Sequence, residues 1–264
     1  WAQKSQQKTD LAVASFQKLV ADHPQSSMAA ESYFHIGEAS YENKEYPSAI
    51  EAYQAARNAE ADGDLAEQVA YKLGWSHFKL EDFEKARGQF RKQIAADRDT
   101  PLAAEARFME AECHFKQQQY AQALPLFESA VAAIEAKNDR ISDVIQVLVR
   151  LHAGQTAFRL EQTEKGLGLL APILERFPKS TYVAEVRFER GKARHALGQT
   201  EAAIADLEQA TKESRTVIGA QSRFWLGEIY FKMKKYDQAI PHYQRVMYGY
   251  GGEQASQDIK AVQS

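Results

Sequence analysis

Along this chain one pattern of small, apolar and polar positions keeps returning. GWSHFKLEDFEKARGQF (74–90) and GEIYFKMKKYDQAIPHY (227–243) start 153 residues apart. Both place a small residue first, aromatics four and nine positions on, an Ala twelve on and an aromatic sixteen on. Further copies start at Gly37, Ala111, Gly154 and Gly191, and LAVASFQKLV (11–20) supplies a second half alone. The small residue of each second half falls at Ala12, Ala49, Ala86, Ala123, Gly166, Ala203 and Ala239, at gaps of 37, 37, 37, 43, 37 and 36. A fixed period of this size is the mark of a stacked repeat architecture.

Within each copy the apolar spacing is helical, as at Phe34, Gly37 and Tyr41 and then at Ala49, Tyr53 and Ala56. The pattern predicts two antiparallel helices, A and B, joined by a short turn. Such a pair cannot bury both of its faces, so stacking on neighbours completes the core. The small residue of helix A (Gly37, Gly74, Ala111, Gly154, Gly191, Gly227) is expected to admit helix B at its Ala. The residue four past that Ala (Phe16, Tyr53, Phe90, Phe127, Leu170, Leu207, Tyr243) would fill the gap beyond. The predicted fold is all-α, a single solenoid of antiparallel helix pairs over 1–264. Its repeats are 29–65, 66–102, 103–140, 141–182, 183–219 and 220–252, with partial repeats at 1–28 and 253–264.

The run G/A-x3-aromatic-x4-Y/F/T-x2-A/G-x3-F/Y/L, found six times and half-found once, resembles the tetratricopeptide repeat. That resemblance implies a right-handed superhelix that works as a protein-interaction module. The period of 36 to 37, against the usual 34, implies longer connections between repeats. HPQSS (23–27) and FPKST (177–181) are similar to the P-x-S punctuation of bacterial repeat proteins, among them the Tol-Pal coordinator and outer-membrane assembly lipoprotein families. This points to the bacterial periplasm as the compartment.

Four features depart from the regular pattern. Helix A carries Arg107, Arg150, Arg187 and Arg223 four before its small residue, and the apolar stripe moves one position on, to Phe34, Tyr71, Phe108, Leu151, Phe188 and Phe224. The stripe continues at Tyr41, Phe78, Phe115, Phe158, His195 and Phe231, and is expected to be core. Six extra residues, around AKNDRISD (136–143), precede the fourth full repeat, and Pro172 in its second helix is expected to bend the helix. At the ends, 1–11 reads as the tail of a first helix and 253–264 as the start of another, set off by the Gly-rich YGYGGE (248–253). The chain is therefore expected to be a piece of a longer repeat protein, able to self-associate through its truncated repeat ends.

Composition narrows the functional classes. Helix formers dominate, and Gly (14) and Pro (7) are few. A net charge of −3 argues against a nucleic-acid groove, which would be basic. No apolar run is long enough to insert in a membrane. The single Cys113 excludes an intramolecular disulfide. No H-E-x-x-H, phosphate loop or nucleophile elbow occurs, and Gly166–Gly168 lacks the strand a dinucleotide site needs. Cys113, His114 and His77 could in principle form a metal or Cys–His site, but spacing supplies neither a third ligand nor an orienting carboxylate. No cofactor, metal or catalytic residue is assigned, and the acidic stretch EADGDLAE (60–67) reads as a solvated connection.

The expectation is a non-catalytic scaffold that holds a protein or peptide, acidic in character, in its concave groove. A structural module of a self-stacking assembly is the alternative. The candidate contacts are the recurring Arg107, Arg150, Arg187 and Arg223, with Arg194 seven after Arg187 on the same side, and Trp75 and Trp225 as aromatic anchors. Against a binding role, Glu105, Glu110 and Glu185 on the same helices could neutralise the arginines.

Overall fold

The structure is a computed structural model that describes residues 2–96, 100–137, 139–250 and 257–263, all of them helix, turn or irregular connection. The helices are α1 (Ala2–Asp22), α2 (Ala29–Glu42), α3 (Tyr46–Asn58), α4 (Gly63–Lys79), α5 (Phe83–Ala95), α6 (Pro101–Lys116) and α7 (Tyr120–Glu135). They continue as α8 (Asp143–Arg159), α9 (Thr163–Arg176), α10 (Val183–Ala196), α11 (Thr200–Glu213), α12 (Val217–Lys232), α13 (Tyr236–Gly249) and α14 (Gln257–Gln263). From α2 onward they form helical hairpins, A then B, and each hairpin packs on its neighbour within a unit. The chain divides into two compact units, Trp1–Ile141 and Ser142–Ser264, at the six-residue insertion that interrupts the repeat.

Each hairpin closes by a reciprocal fit. A Cβ built on Gly74 would lie 2.5 Å from Phe90 Cε1, and one on Gly37 would lie 2.6 Å from Tyr53 Cδ1. The same holds for Leu170 against Gly154, Leu207 against Gly191 and Tyr243 against Gly227. The large residue of helix B thus sits on the helix-A glycine itself, and does not fill a gap beyond it as the spacing suggested. In return, helix-A Phe158 covers Gly166 of helix B, where an added Cβ would run into its ring. Tyr53, Phe90, Phe127, Leu170 and Leu207 are all fully buried. Each such side chain contributes about 1.5–3 kcal/mol over its exposed state.

The turns between A and B share one backbone solution. Lys44, Glu81, Gln118, Glu161, Gly198 and Lys234, each seven past the helix-A small residue, all have φ between 58° and 73°. In the first of them Glu45 N–H donates to Ser40 O and Lys44 N–H to Tyr41 O, and the other five repeat the pair. This is the Schellman closure, which satisfies two orphan carbonyls at the helix end.

Three details differ from the sequence reading. Residues 2–22 form one helix, not the tail of one followed by another, because no Gly or Pro interrupts them. The stretch 60–67 is not a solvated connection throughout. Helix α4 begins at Gly63, and the buried Glu67 carboxylate accepts from Thr100 Oγ1. Helix α9 runs unbroken through Pro172, whose missing N–H leaves one helical bond unmade. Most of the Gly-rich turn and the first residues of the last partial repeat, 251–256, lie outside the described residues. Gln257–Gln263 is helical and packs on α12 and α13.

Candidate functional site

The A helices carry the candidate residues, and within a unit they are linked by polar contacts between neighbouring repeats. In the first unit, Glu38 of α2 accepts from Tyr53 Oη of its own hairpin and from Lys72 Nζ of α4 at 2.8 Å. Tyr71 Oη of α4 donates to Glu105 of α6 at 2.6 Å. Burial and the adjoining carboxylates push both tyrosine hydroxyls well above their ordinary range, so they stay protonated donors. In the second unit, Gln155 Nε2 of α8 donates to Glu185 of α10 at 3.1 Å, and burial raises the Glu185 carboxyl.

Helix α11 supplies the hub of the second unit. Asp206, only 3% exposed, accepts from Arg190 through both oxygens, at 2.8 and 2.5 Å, and from Arg194 at 2.8 Å. Arg187 lies 3.9 Å from the same carboxylate, and its Nε donates to Glu213 at 3.0 Å. A bidentate guanidinium–carboxylate pair of this kind is both strong and directional.

The recurring arginines therefore have different fates. Arg150 is 1% exposed and donates to Gln146 O at 2.8 Å, so it presents no surface to a partner. The reason is the face it shares on α8 with Gln146, Val147, Ala153 and Gly154, all of them buried. Arg187 and Arg194 are held by Asp206 and Glu213. Arg223 of α12 is half-buried, and its Nε donates to Tyr250 Oη at 3.2 Å. Arg107 of α6 is half-buried, with no ion pair among the described residues. The carboxylates named as neutralising partners serve other groups: Glu105 takes Tyr71, Glu110 takes Arg91 at 2.5 Å, and Glu185 takes Gln155.

The two candidate tryptophans, Trp75 and Trp225, are half-buried. Trp75 lies edge-on between Tyr71 and Phe78, with Lys79 Nζ 5.4 Å from the centre of its ring. Trp225 meets His195 edge-on at 6.0 Å. The aromatic stripe is buried or half-buried through α10, but on α12 Phe224 is 39% and Phe231 54% exposed.

Cys113, His77 and His114 are engaged in packing. The Cys113 thiol is buried and pushed up to about 12 by that burial, far from a reactive thiolate. His114 Nδ1 lies 2.6 Å from Gln119 Oε1, and Arg87 reaches the ring. His77 sits 3.9 Å from Asp82, and burial lowers its pKa. No group of three metal-ligating side chains occurs among the described residues.

Sequence reading missed Asp206, Glu38 and Lys72. The signal for the last two was present. Glu38 to Lys72 and Tyr71 to Glu105 are both separations of 34, three short of the repeat period, as expected for A-helix neighbours one repeat apart.

The tetratricopeptide-repeat family profile matches residues 1–64, 71–138 and 188–253, well over half of the chain. Among solved structures, the C-terminal part of a TPR repeat-containing protein from Cytophaga hutchinsonii aligns over 98% of this chain and 96% of its own, with a TM-score of 0.73 at 13% identity. The apo form of RapI aligns over 91% of this chain and 71% of its own, with a TM-score of 0.73 at 15% identity. YrrB, described as a TPR protein with an unusual peptide-binding site, aligns over 75% and 92%, with a TM-score of 0.57 at 18% identity. At these identities the likeness is one of fold. No curated protein matches the chain in sequence.

Proposed function

The chain belongs to the tetratricopeptide-repeat family, and we propose that it is a non-catalytic scaffold that holds a protein or peptide against the A-helix face of its hairpins. The family fold supports the general role of an interaction scaffold. The observation that carries the finer reading is the contrast among the recurring arginines. Asp206 and Glu213 occupy Arg187 and Arg194, whereas Arg107 and Arg223 have no carboxylate partner among the described residues. Uncompensated guanidinium groups at half-buried positions favour a partner that brings carboxylates or other oxyanions. A preformed helical surface loses little conformational freedom when it binds. YrrB, of like fold, is described by a peptide-binding site, which is consistent with a peptide ligand here.

The test is capture of a partner from native lysate by the wild-type chain and by Arg107→Glu and Arg223→Glu variants, with circular dichroism of each. The reading expects a captured partner to be lost by at least one charge-reversed variant that keeps its helix content, while Arg150→Lys leaves capture intact. Capture unchanged in both fully helical variants would refute it.

A second reading, a module of a self-stacking assembly, is favoured by one observation. Phe231, Tyr236, Ile240 and Met247 on α12 and α13 are all about half exposed or more, a concentration of apolar surface that marks interaction faces. Light scattering across a concentration series distinguishes it, since a self-stacking module grows in mass with concentration.

A further inference from the structure

The second unit contains a cleft of about 420 Å³, in which the A-helix residue Arg223 is joined by Thr211, Lys212, Arg215, Arg245, Gly249 and Tyr250. Among the described residues four cations and no carboxylate line it, in a chain whose net charge is −3. Lys212, Arg215 and Arg245 are exposed and form no ion pair among the described residues. Glu213, next in sequence to Lys212, is engaged by Arg187 and is not part of the lining. The cleft is assembled from the end of α11, the turn that follows it at Arg215, Arg223 of α12 and the end of α13. Its inner wall is fixed by Tyr250, whose hydroxyl accepts from Arg223 Nε and lies 3.0 Å from where a Cβ on Gly219 would stand. Because that oxygen accepts from Arg223, its own O–H remains a donor.

We propose that this cleft binds a compact, multiply charged phosphate group. Four like charges held together repel one another, and a ligand that neutralises them is bound in proportion to its charge. A single carboxylate would neutralise one. An extended acidic peptide spaces side chains on one face about 7 Å apart, too far to concentrate several carboxylates in this volume. A di- or triphosphate, or two adjacent phosphate esters, places three or four charges within the cleft. Guanidinium forks match phosphate oxygens two at a time. The cleft also falls within the roughly 300–1,000 Å³ of small-ligand sites. The same phosphate chemistry reaches the cleft from two sources, a free polyphosphate or a phosphorylated partner.

Calorimetric titration of the whole chain with sodium tripolyphosphate, with a peptide carrying two adjacent phosphoserines, and with hexaglutamate tests the assignment. At least one phosphate probe is expected to bind, with hexaglutamate weaker by ~10-fold or more. Arg215→Gln/Arg245→Gln, at exposed side chains that form no hydrogen bond among the described residues, is expected to weaken phosphate binding ~10-fold or more at unchanged helix content. Lys232→Gln/Lys234→Gln removes the same charge away from the cleft and is expected to leave binding intact. Binding of tripolyphosphate alone assigns a free ligand, and binding of the phosphopeptide alone assigns a phosphorylated partner. The proposal falls if neither phosphate probe binds, if the cleft variant binds like wild type, if the control loses as much affinity, or if hexaglutamate binds as tightly as phosphate.

Discussion

Gly74 and Gly88 lie in the two helices of one hairpin, and replacing each by Ala should change stability in different ways. Both are inside helices, so both substitutions gain the same helix-propensity benefit, about 1 kcal/mol. They differ in what the new methyl group meets. At Gly88 nothing among the described residues lies within 4 Å. At Gly74 the Cβ would stand 2.5, 2.7 and 2.9 Å from three atoms of the Phe90 ring, and Phe90 is fully buried and cannot swing into solvent. Overpacking of this kind costs about 1–3 kcal/mol. The third full repeat bounds the figure, since it places Ala111 and Phe127 at the equivalent positions with both fully buried. A hairpin of this design therefore accommodates the methyl by a small shift, which puts the cost at about 1–2 kcal/mol. Gly88→Ala should stabilise the first unit by about 1 kcal/mol, and Gly74→Ala should be neutral or destabilise it by up to about 1 kcal/mol. The difference between the two isolates the clash because the propensity term cancels. Urea unfolding gives the midpoints, and hydrogen exchange of α4 and α5 amides assigns the change to this hairpin. Equal shifts for the two variants would show that the ring over Gly74 imposes no constraint, and the account of hairpin closure would fail.

Three further outcomes follow from single positions. Gly198 is the one glycine among the six hairpin turns with positive φ, so Gly198→Ala should cost about 1 kcal/mol, and Lys234→Gly should gain a few tenths to about 1 kcal/mol, both read by urea unfolding. Gln93 is 4% exposed with both amide atoms unpartnered among the described residues, at a position where the other full repeats hold Ala, Ile or Val, so Gln93→Leu should raise stability by about 1–2 kcal/mol. Burial lowers the pKa of His77 and His242 below the ordinary 6.5. A lowered imidazole pKa means the unfolded chain binds protons more readily, so stability should fall as pH drops through 6.5 toward the folded values. His77→Gln/His242→Gln should flatten that part of a thermal-midpoint profile against pH.

The fold was legible because its main determinant is periodic. A glycine or alanine sixteen residues before a large side chain, repeated at nearly constant spacing, specifies both the hairpin and its partner. The turns were nearly silent. Their left-handed residue is Lys, Glu or Gln five times out of six, so local chemistry does not announce it. What imposes the conformation is the pair of Schellman hydrogen bonds and the packing of the two helices, which act from outside the turn.

The polar surface was legible in part, and the division has a physical basis. A repeat period says which positions stack, but an arginine on a stacked position can be buried, paired or left open according to one neighbouring side chain. Arg187 and Arg223 occupy the same position in consecutive repeats. Arg187 meets Glu213 because α11 ends with an acid there, whereas Arg223 faces Arg245 and Tyr250 at the end of α13 and meets no carboxylate among the described residues. The difference therefore lies in helix B, not in the helix-A residue that attracted attention. Pairs fixed by chemistry leave a clearer trace. Glu38 with Tyr53 and Glu228 with Tyr243 are each fifteen apart, and where helix B carries Phe90, Leu170 or Leu207 the position holds Trp75, Gln155 or Lys192, while opposite Phe127 it keeps Glu112. A buried hydroxyl needs an acceptor, so each tyrosine at this place has an acid fifteen residues before it, whereas a hydrocarbon leaves that position unconstrained. The open cations near Arg223 follow no such rule within the chain, which is why their partner is sought outside it.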